Sequence, residues 1–286
     1  MIRAFRQKLL DRFVLRPTRH RLPYAPKERL VISDSGTRDE LFVQRPLLSQ
    51  HESEDPGADE FKPPELIVFK FPGTAGRAER ASDWPASALG CVDVKLFTWN
   101  PPGYGRSSGR ASLTSIAERA TKMFQVLTED TCSSHTKVWL VGNSLGCATA
   151  VWVANQFANR VDGLVIRNPP PLVQTVKRVA HRYPGGRWTD RIAESLPASM
   201  DLLRTAHGIQ LPTVVLQSEY DKLVPPELQL QVYDAIRASK RLVVMRGLGH
   251  DGVATEQHEP EINEAIRWLW QEAETNANAS SEMSSS

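Results

Sequence analysis

Ser144 stands in Gly142-Asn143-Ser144-Leu145-Gly146, framed by two glycines at a change of pattern. The run before it, KVWLV, is apolar and β-rich, and the run after it, LGCATAVWVANQF, reads as a helix. A serine at a sharp strand-to-helix turn has its hydroxyl lifted above the sheet edge, where it can act as a nucleophile. Only glycine leaves room for the neighbouring chain on both sides of so tight a turn. The new helix also turns its positive end toward developing negative charge. The plainer reading of the motif is a serine that merely caps this helix.

Such a nucleophile needs a base, and the base needs an acid to orient it. The run TVVLQSE (213–219) ends in Tyr220-Asp221, followed by Lys222-Leu223-Val224-Pro225-Pro226-Glu227 and a helical stretch. The run RLVVMRG (241–247) ends in Leu248-Gly249-His250-Asp251. Serine, then an acid, then a histidine is the chain order expected for this architecture. All three stand where strands end, the edge at which open α/β sheets place their sites. The expected roles are Ser144 as nucleophile, His250 as general base and Asp221 as orienting acid, with Glu219 and Asp251 as rival acids. His20, His51, His135, His181, His207 and His258 read as surface groups or ordinary polar contacts. Pro72-Gly73-Thr74-Ala75-Gly76 follows another strand-like run and can turn a backbone N–H toward the serine. The expected oxyanion donors are the N–H of Leu145 and that of Thr74 or a neighbour, the rival being a plain strand-to-helix turn. The chemistry would be attack on a carbonyl carbon, an acyl-enzyme, and its cleavage by water.

A scaffold must bring these distant residues to one edge, and the patterning supplies one. ELIVFKF (65–71), DVKLFTW (93–99), KVWLVG (137–142), DGLVIRN (162–168), TVVLQSE and RLVVMRG are short apolar runs, suited to strands buried on both faces of a parallel sheet. Residues 29–35 and 39–47 read as an antiparallel opening hairpin. Helical stripes lie between the runs, as with Leu113, Ile116, Ala120, Met123, Phe124 and Leu127 in 112–130, with Ser112 as N-cap, and Ile262, Ile266, Leu269 and Trp270 in 260–272. This predicts an α/β fold, a mostly parallel sheet of about eight strands with helices on both faces. Domain boundaries are expected at 1–28 for a basic N-terminal segment and 29–272 for the α/β domain, with a helical cap inserted at about 171–211. Residues 48–64 read as a polar loop and 273–286 as a disordered tail.

With PGTAG, PGYGRSSG, GNSLG, EYDKLVPPE and GLGHD in this order, the chain from about residue 29 to 272 resembles the α/β-hydrolase superfamily. Within it the chain is similar to small-capped hydrolases related to serine aminopeptidase-like and acyl-protein-thioesterase-like members, protein depalmitoylases among them. The resemblance implies hydrolysis of esters, thioesters or amides on the Ser144, Asp221 and His250 triad without a cofactor. Many relatives carry Asp-x-Arg-Gly where this chain has Asn100-Pro101-Pro102-Gly103, and His-Gly where it has Pro72-Gly73. Both departures bear on substrate and neither touches the triad. A carboxylic ester or thioester is the expected substrate, small or acyl-carrying. Peptidase or amidase action, acyl transfer to another acceptor, and a non-catalytic binding module are the alternatives.

Composition sets outer bounds. A net charge of +2 gives no reason to expect a nucleic-acid partner. Gly103-Tyr104-Gly105-Arg106-Ser107-Ser108-Gly109 lacks the dinucleotide spacing, and no Gly-Lys-Ser/Thr occurs for a phosphate loop. Arg106 reads as a surface cation or a carboxylate clamp. Cys91, Cys132 and Cys147 are odd in number and far apart, which suits neither a disulfide framework nor a metal and favours a cytoplasmic setting. No apolar run is long enough for a transmembrane helix. Residues 1–22 hold Arg3, Arg6, Lys8, Arg12, Arg16, Arg19 and Arg21 against Asp11, with Ile2, Phe5, Leu9 and Phe13 at helical spacing. The expected arrangement is a basic helix packed on the domain. Peripheral contact with an anionic membrane is the other reading.

Overall fold

The computed structural model describes residues 2–34, 36–46, 63–131, 133 and 135–284. Eight strands form one sheet in the order β1-β2-β4-β3-β5-β6-β7-β8. These are β1 Glu28–Asp34, β2 Thr37–Gln44, β3 Leu66–Phe71, β4 Val94–Asn100, β5 Lys137–Asn143, β6 Gly163–Arg167, β7 Thr213–Ser218 and β8 Lys240–Met245. β1 and β2 pair antiparallel, as do β2 and β4, and every other pairing is parallel. The expected mixed, mostly parallel sheet is the one observed. The hairpin closes sooner than expected, because Asp34 pairs with Thr37 and Gly36 supplies the left-handed turn at φ 79°. Most of the loop expected after it lies outside the described residues.

Two cores cover the sheet. On one face Phe69, Phe97 and Leu140 pack against the helices α3 Leu113–Thr131 and α4 Leu145–Gln156. The Phe69 ring lies 5.3 Å from Phe97 and 4.9 Å from Phe124. Ser112 caps α3 as expected, its hydroxyl accepting from the Ser115 N–H at 3.1 Å. On the other face Val68, Leu96 and Trp139 meet Ile262, Ile266 and Leu269 of the last helix, α9, with the short helix α2 Ala86–Leu89 beside them. α9 spans Glu259–Ser284 and so runs through the segment expected to be a disordered tail. That segment contains no Gly or Pro to stop the helix.

Two pieces lie outside this frame and come together above the strand ends. The excursion between β6 and β7 holds α5 Leu172–Ala180, α6 Asp190–Ala193 and α7 Leu202–Ala206, followed after β7 by α8 Pro226–Ala235. The N-terminal helix α1, Ile2–Val14, packs against α6. Leu10 and the following Leu15 are buried in the domain core, and the Asp11 carboxylate accepts from the Leu113 N–H at 2.9 Å. None of the helices, among the described residues, is long and apolar enough to cross a membrane.

Candidate active site

Ser144 links the end of β5 to the start of α4 with φ 50° and ψ −120°, a left-handed conformation that costs a non-glycine residue about 1–3 kcal/mol. The surrounding structure holds it there. Its N–H donates to the Arg167 carbonyl at 2.8 Å and its carbonyl accepts from the Cys147 N–H at 2.9 Å. The two framing glycines are sterically required: a Cβ at Gly142 would meet Cys147 Cα at 2.6 Å, and one at Gly146 would meet the Phe71 carbonyl oxygen at 2.0 Å. Buried Cys147 is no competing nucleophile, since burial pushes its thiol pKa well up and its Sγ faces the Gly142 and Arg167 carbonyls.

The structure brings the three residues named from the sequence into one hydrogen-bonded chain. Ser144 Oγ lies 2.9 Å from His250 Nε2, and His250 Nδ1 lies 2.7 Å from Asp221 Oδ2. A buried carboxylate only accepts, so Nδ1 carries the imidazole proton and Nε2 is left to accept from the serine hydroxyl. Every acceptor position on Asp221 is in use. Its Oδ1 takes the N–H groups of Leu223 and Val224 at 2.9 and 2.8 Å, and its Oδ2 also takes the Gln229 amide at 3.1 Å. Neither rival acid reaches the imidazole. Glu219 accepts from the Gly247 N–H at 2.8 Å, and Asp251 is exposed. His258 is tied to the Arg246 carbonyl and Thr255, and His181 to Asp190.

Sequence reasoning missed two supports of this chain. Buried Asn168, also at φ 50°, donates to the His250 carbonyl at 3.1 Å and accepts from the Ser218 N–H at 2.9 Å. It follows β6 directly, so the strand-end rule that found the other residues could have found it too. Buried Gln229, in the first turns of α8, braces Asp221 and the Val224 carbonyl at once. Replacing Gln229 by Met keeps the volume and removes a hydrogen bond to a charged group, so kcat is expected to fall roughly ten- to hundredfold with the fold retained. Steady-state kinetics with a melting curve checks this; an unchanged kcat would mean the brace is dispensable.

Thr74 and Leu145 both line the cavity beside Ser144, and no group among the described residues accepts from either N–H. Thr74 is pinned from three sides. Its carbonyl accepts from the Tyr104 hydroxyl at 2.7 Å and from the Arg16 N–H at 3.2 Å, and its own hydroxyl donates to the Val14 carbonyl. Burial pushes the Tyr104 pKa up to about 12, so the phenol stays protonated and remains a donor. The glycine-rich loop at 102–109 therefore serves as a clamp on the Thr74 turn. Arg106 is not brought to Ser144; it is exposed in a separate basic cleft with Arg19, Arg29 and Arg38.

Above Ser144 opens a cavity of about 610 Å³, within the range of small-molecule sites. Its walls come from α5 (Leu172, Val176, Val179), from Trp188, from Leu223 and from the end of α1 at Phe13 and Val14. The lining is apolar, with Arg16 its one charged side chain among the described residues.

Comparison with known proteins agrees with this architecture. A family model described as alpha/beta hydrolase fold matches residues 85–208, and one described as serine aminopeptidase, S33, matches residues 185–257. Protein bem46 of Schizosaccharomyces pombe is 25% identical over 205 residues, covering 72% of this chain and 65% of its own length. An uncharacterized membrane protein of Saccharomyces cerevisiae is 24% identical over 156 residues, 54% of each chain. The chain thus spans less than two thirds of the length of these relatives. Among solved structures, Est1E from Butyrivibrio proteoclasticus bound to ferulic acid superposes with a TM-score of 0.60 at 15% identity, over 85% of this chain and 98% of that one. A Pyrococcus furiosus esterase gives 0.64 at 12% identity, over 90% and 98%. At such identities the likeness is one of fold.

Proposed function

Since the chain belongs to the α/β-hydrolase fold superfamily, we propose that it hydrolyses a carboxylic ester or thioester of a long apolar acyl group through an acyl-enzyme on Ser144. The observation that carries this reading is the hydrogen-bonded chain from Ser144 through His250 to Asp221 at an apolar cavity. Ser144 Oγ attacks the carbonyl carbon while its proton passes to His250 Nε2. The carbonyl electron pair moves to oxygen, where the N–H groups of Leu145 and Thr74 meet the charge. The bond to the leaving oxygen or sulfur then breaks, and His250 returns the proton to that atom. Water repeats the sequence on the acyl-enzyme, giving the free acid and restoring Ser144. Asp221 keeps the imidazole in the required tautomer and stabilises the imidazolium that forms.

The cavity favours an acyl chain over a peptide. No carboxylate among its described lining residues could hold a peptide amino group, whereas its walls are aliphatic and aromatic. Each methylene buried there adds up to about 0.8 kcal/mol, roughly fourfold in kcat/KM when it is bound equally in the transition state. Across nitrophenyl esters from acetyl to palmitoyl, kcat/KM is expected to climb with chain length until the cavity is filled. A preference for the acetyl ester, with decline thereafter, would overturn the acyl-chain assignment.

A further inference from the structure

Six of the eleven large exposed hydrophobic side chains among the described residues belong to α1 or to the rim of the cavity. α1 exposes Ile2, Phe5 and Phe13, which fall with half-buried Leu9 on one helical stripe. Around the cavity mouth Tyr183, Trp188 and Leu223 are also exposed, Trp188 by 64% and Tyr183 by 69%. Phe13 belongs to both groups, since it lines the cavity and ends the stripe. Single exposed apolar residues are ordinary, but a set gathered around a cavity mouth marks an interaction surface. α1 is fixed to the domain by Leu9, Leu10, Leu15 and Asp11, and its Ile2 and Phe5 stay exposed.

The charges beside the patch identify its partner. Residues 2–16 carry Arg3, Arg6, Lys8, Arg12 and Arg16 against Asp11, and residues 172–194 carry Lys177, Arg178, Arg182, Arg187 and Arg191 against Asp190 and Glu194. The three acids are already engaged, Asp11 by the Leu113 N–H, Asp190 by His181 and Glu194 by Lys177. Exposed Arg3, Lys8, Arg12, Arg182, Arg187 and Arg191 have no carboxylate partner among the described residues. Aliphatic and aromatic side chains flanked by unpaired cations match a leaflet of anionic lipid: the apolar groups enter the acyl boundary, the Trp and Tyr rings sit at headgroup level, and the cations meet phosphate.

We propose that the exposed apolar residues of α1 and the rim of the cavity mouth dock together on an anionic lipid bilayer, so that an acyl chain passes from the bilayer directly to Ser144. Docking stands on the surface alone; delivery of the chain rests on the hydrolase reading above. Cosedimentation of the full chain with phosphatidylcholine vesicles, with and without phosphatidylserine, tests it at about 0.1 M and about 1 M salt, where the Debye length falls from about 10 Å to about 3 Å. Binding is expected to vesicles containing phosphatidylserine, and to weaken at least tenfold in high salt or without the anionic lipid. The Ile2→Ser, Phe5→Ser double variant and the Arg3→Glu, Lys8→Glu double variant are each expected to bind at least tenfold more weakly. Both should melt as the parent does and hydrolyse a soluble short-chain ester at the parent rate, since none of these residues lines the cavity. Both should lose hydrolysis of a long-chain ester embedded in the vesicles. Ser144→Ala should bind vesicles like the parent, which separates docking from chemistry. No sedimentation at low salt, or equal sedimentation of the parent and both double variants, overturns the proposal and leaves a protein as the partner of this face.

Discussion

Ser144→Ala is expected to leave the fold intact and to lower kcat by on the order of 10⁵–10⁶. Alanine makes the same Cβ demand at φ 50° as serine does, so the strain at the turn is unchanged. The Arg167 and Cys147 backbone bonds that hold the turn do not involve the hydroxyl. What disappears is the one atom within hydrogen-bond reach of His250 Nε2 that can form the acyl bond. The residual rate would come from binding and from the N–H groups of Thr74 and Leu145. Kinetics on a nitrophenyl ester, with labelling by a fluorophosphonate, reads the effect; labelling that persists at another serine would move the nucleophile elsewhere.

Asp221→Asn is expected to lower kcat by on the order of 10⁴ while the protein stays folded. The hydrogen bonds around this residue dictate the reason. Two backbone N–H groups, from Leu223 and Val224, both donate to Oδ1 and will hold the oxygen of an asparagine there. The new amide nitrogen must then face His250 Nδ1. It donates to that atom, which moves the imidazole proton to Nε2 and leaves nothing to accept from Ser144. The same amide nitrogen faces Gln229 Nε2, which keeps its bond to the Val224 carbonyl and loses its carboxylate partner. Glu219→Gln keeps an oxygen for the Gly247 N–H, and Asp251 is exposed, so either neutralisation should change kcat little. A larger loss from one of those two than from Asp221→Asn would transfer the role.

Strands β3 to β8 were legible because each is a short, mostly apolar run, and their ends came within two residues of the expectation. Ser144, Asp221 and His250 were legible because each follows such a run at the same edge. Their supports were not. Asn168 and Gln229 are single polar residues with no periodic signature, and only the folded sheet shows that both serve His250 and Asp221. The hold on Thr74 joins positions far apart in sequence, through the Val14 carbonyl, the Arg16 N–H and the Tyr104 hydroxyl, and no spacing in the sequence links them. For α1 the composition left packing and membrane contact as alternatives. In the structure the two are compatible, because Leu10 is buried while Ile2 and Phe5 of the same helix stay exposed. Low-complexity composition misled at the other terminus, where absence of a helix breaker mattered more than the polar character of the segment.

Every role proposed for the site serves one event, formation of a covalent bond between the substrate acyl group and Ser144. Intact-mass spectrometry of the protein, acid-quenched within its first turnovers of a long-chain thioester, tests it most directly. A species heavier by one acyl group is expected, mapped by peptide fragmentation to the segment carrying Ser144 and missing from Ser144→Ala. Efficient multiple turnover with no such species in the parent, or an acyl group mapped to any other residue, would contradict it.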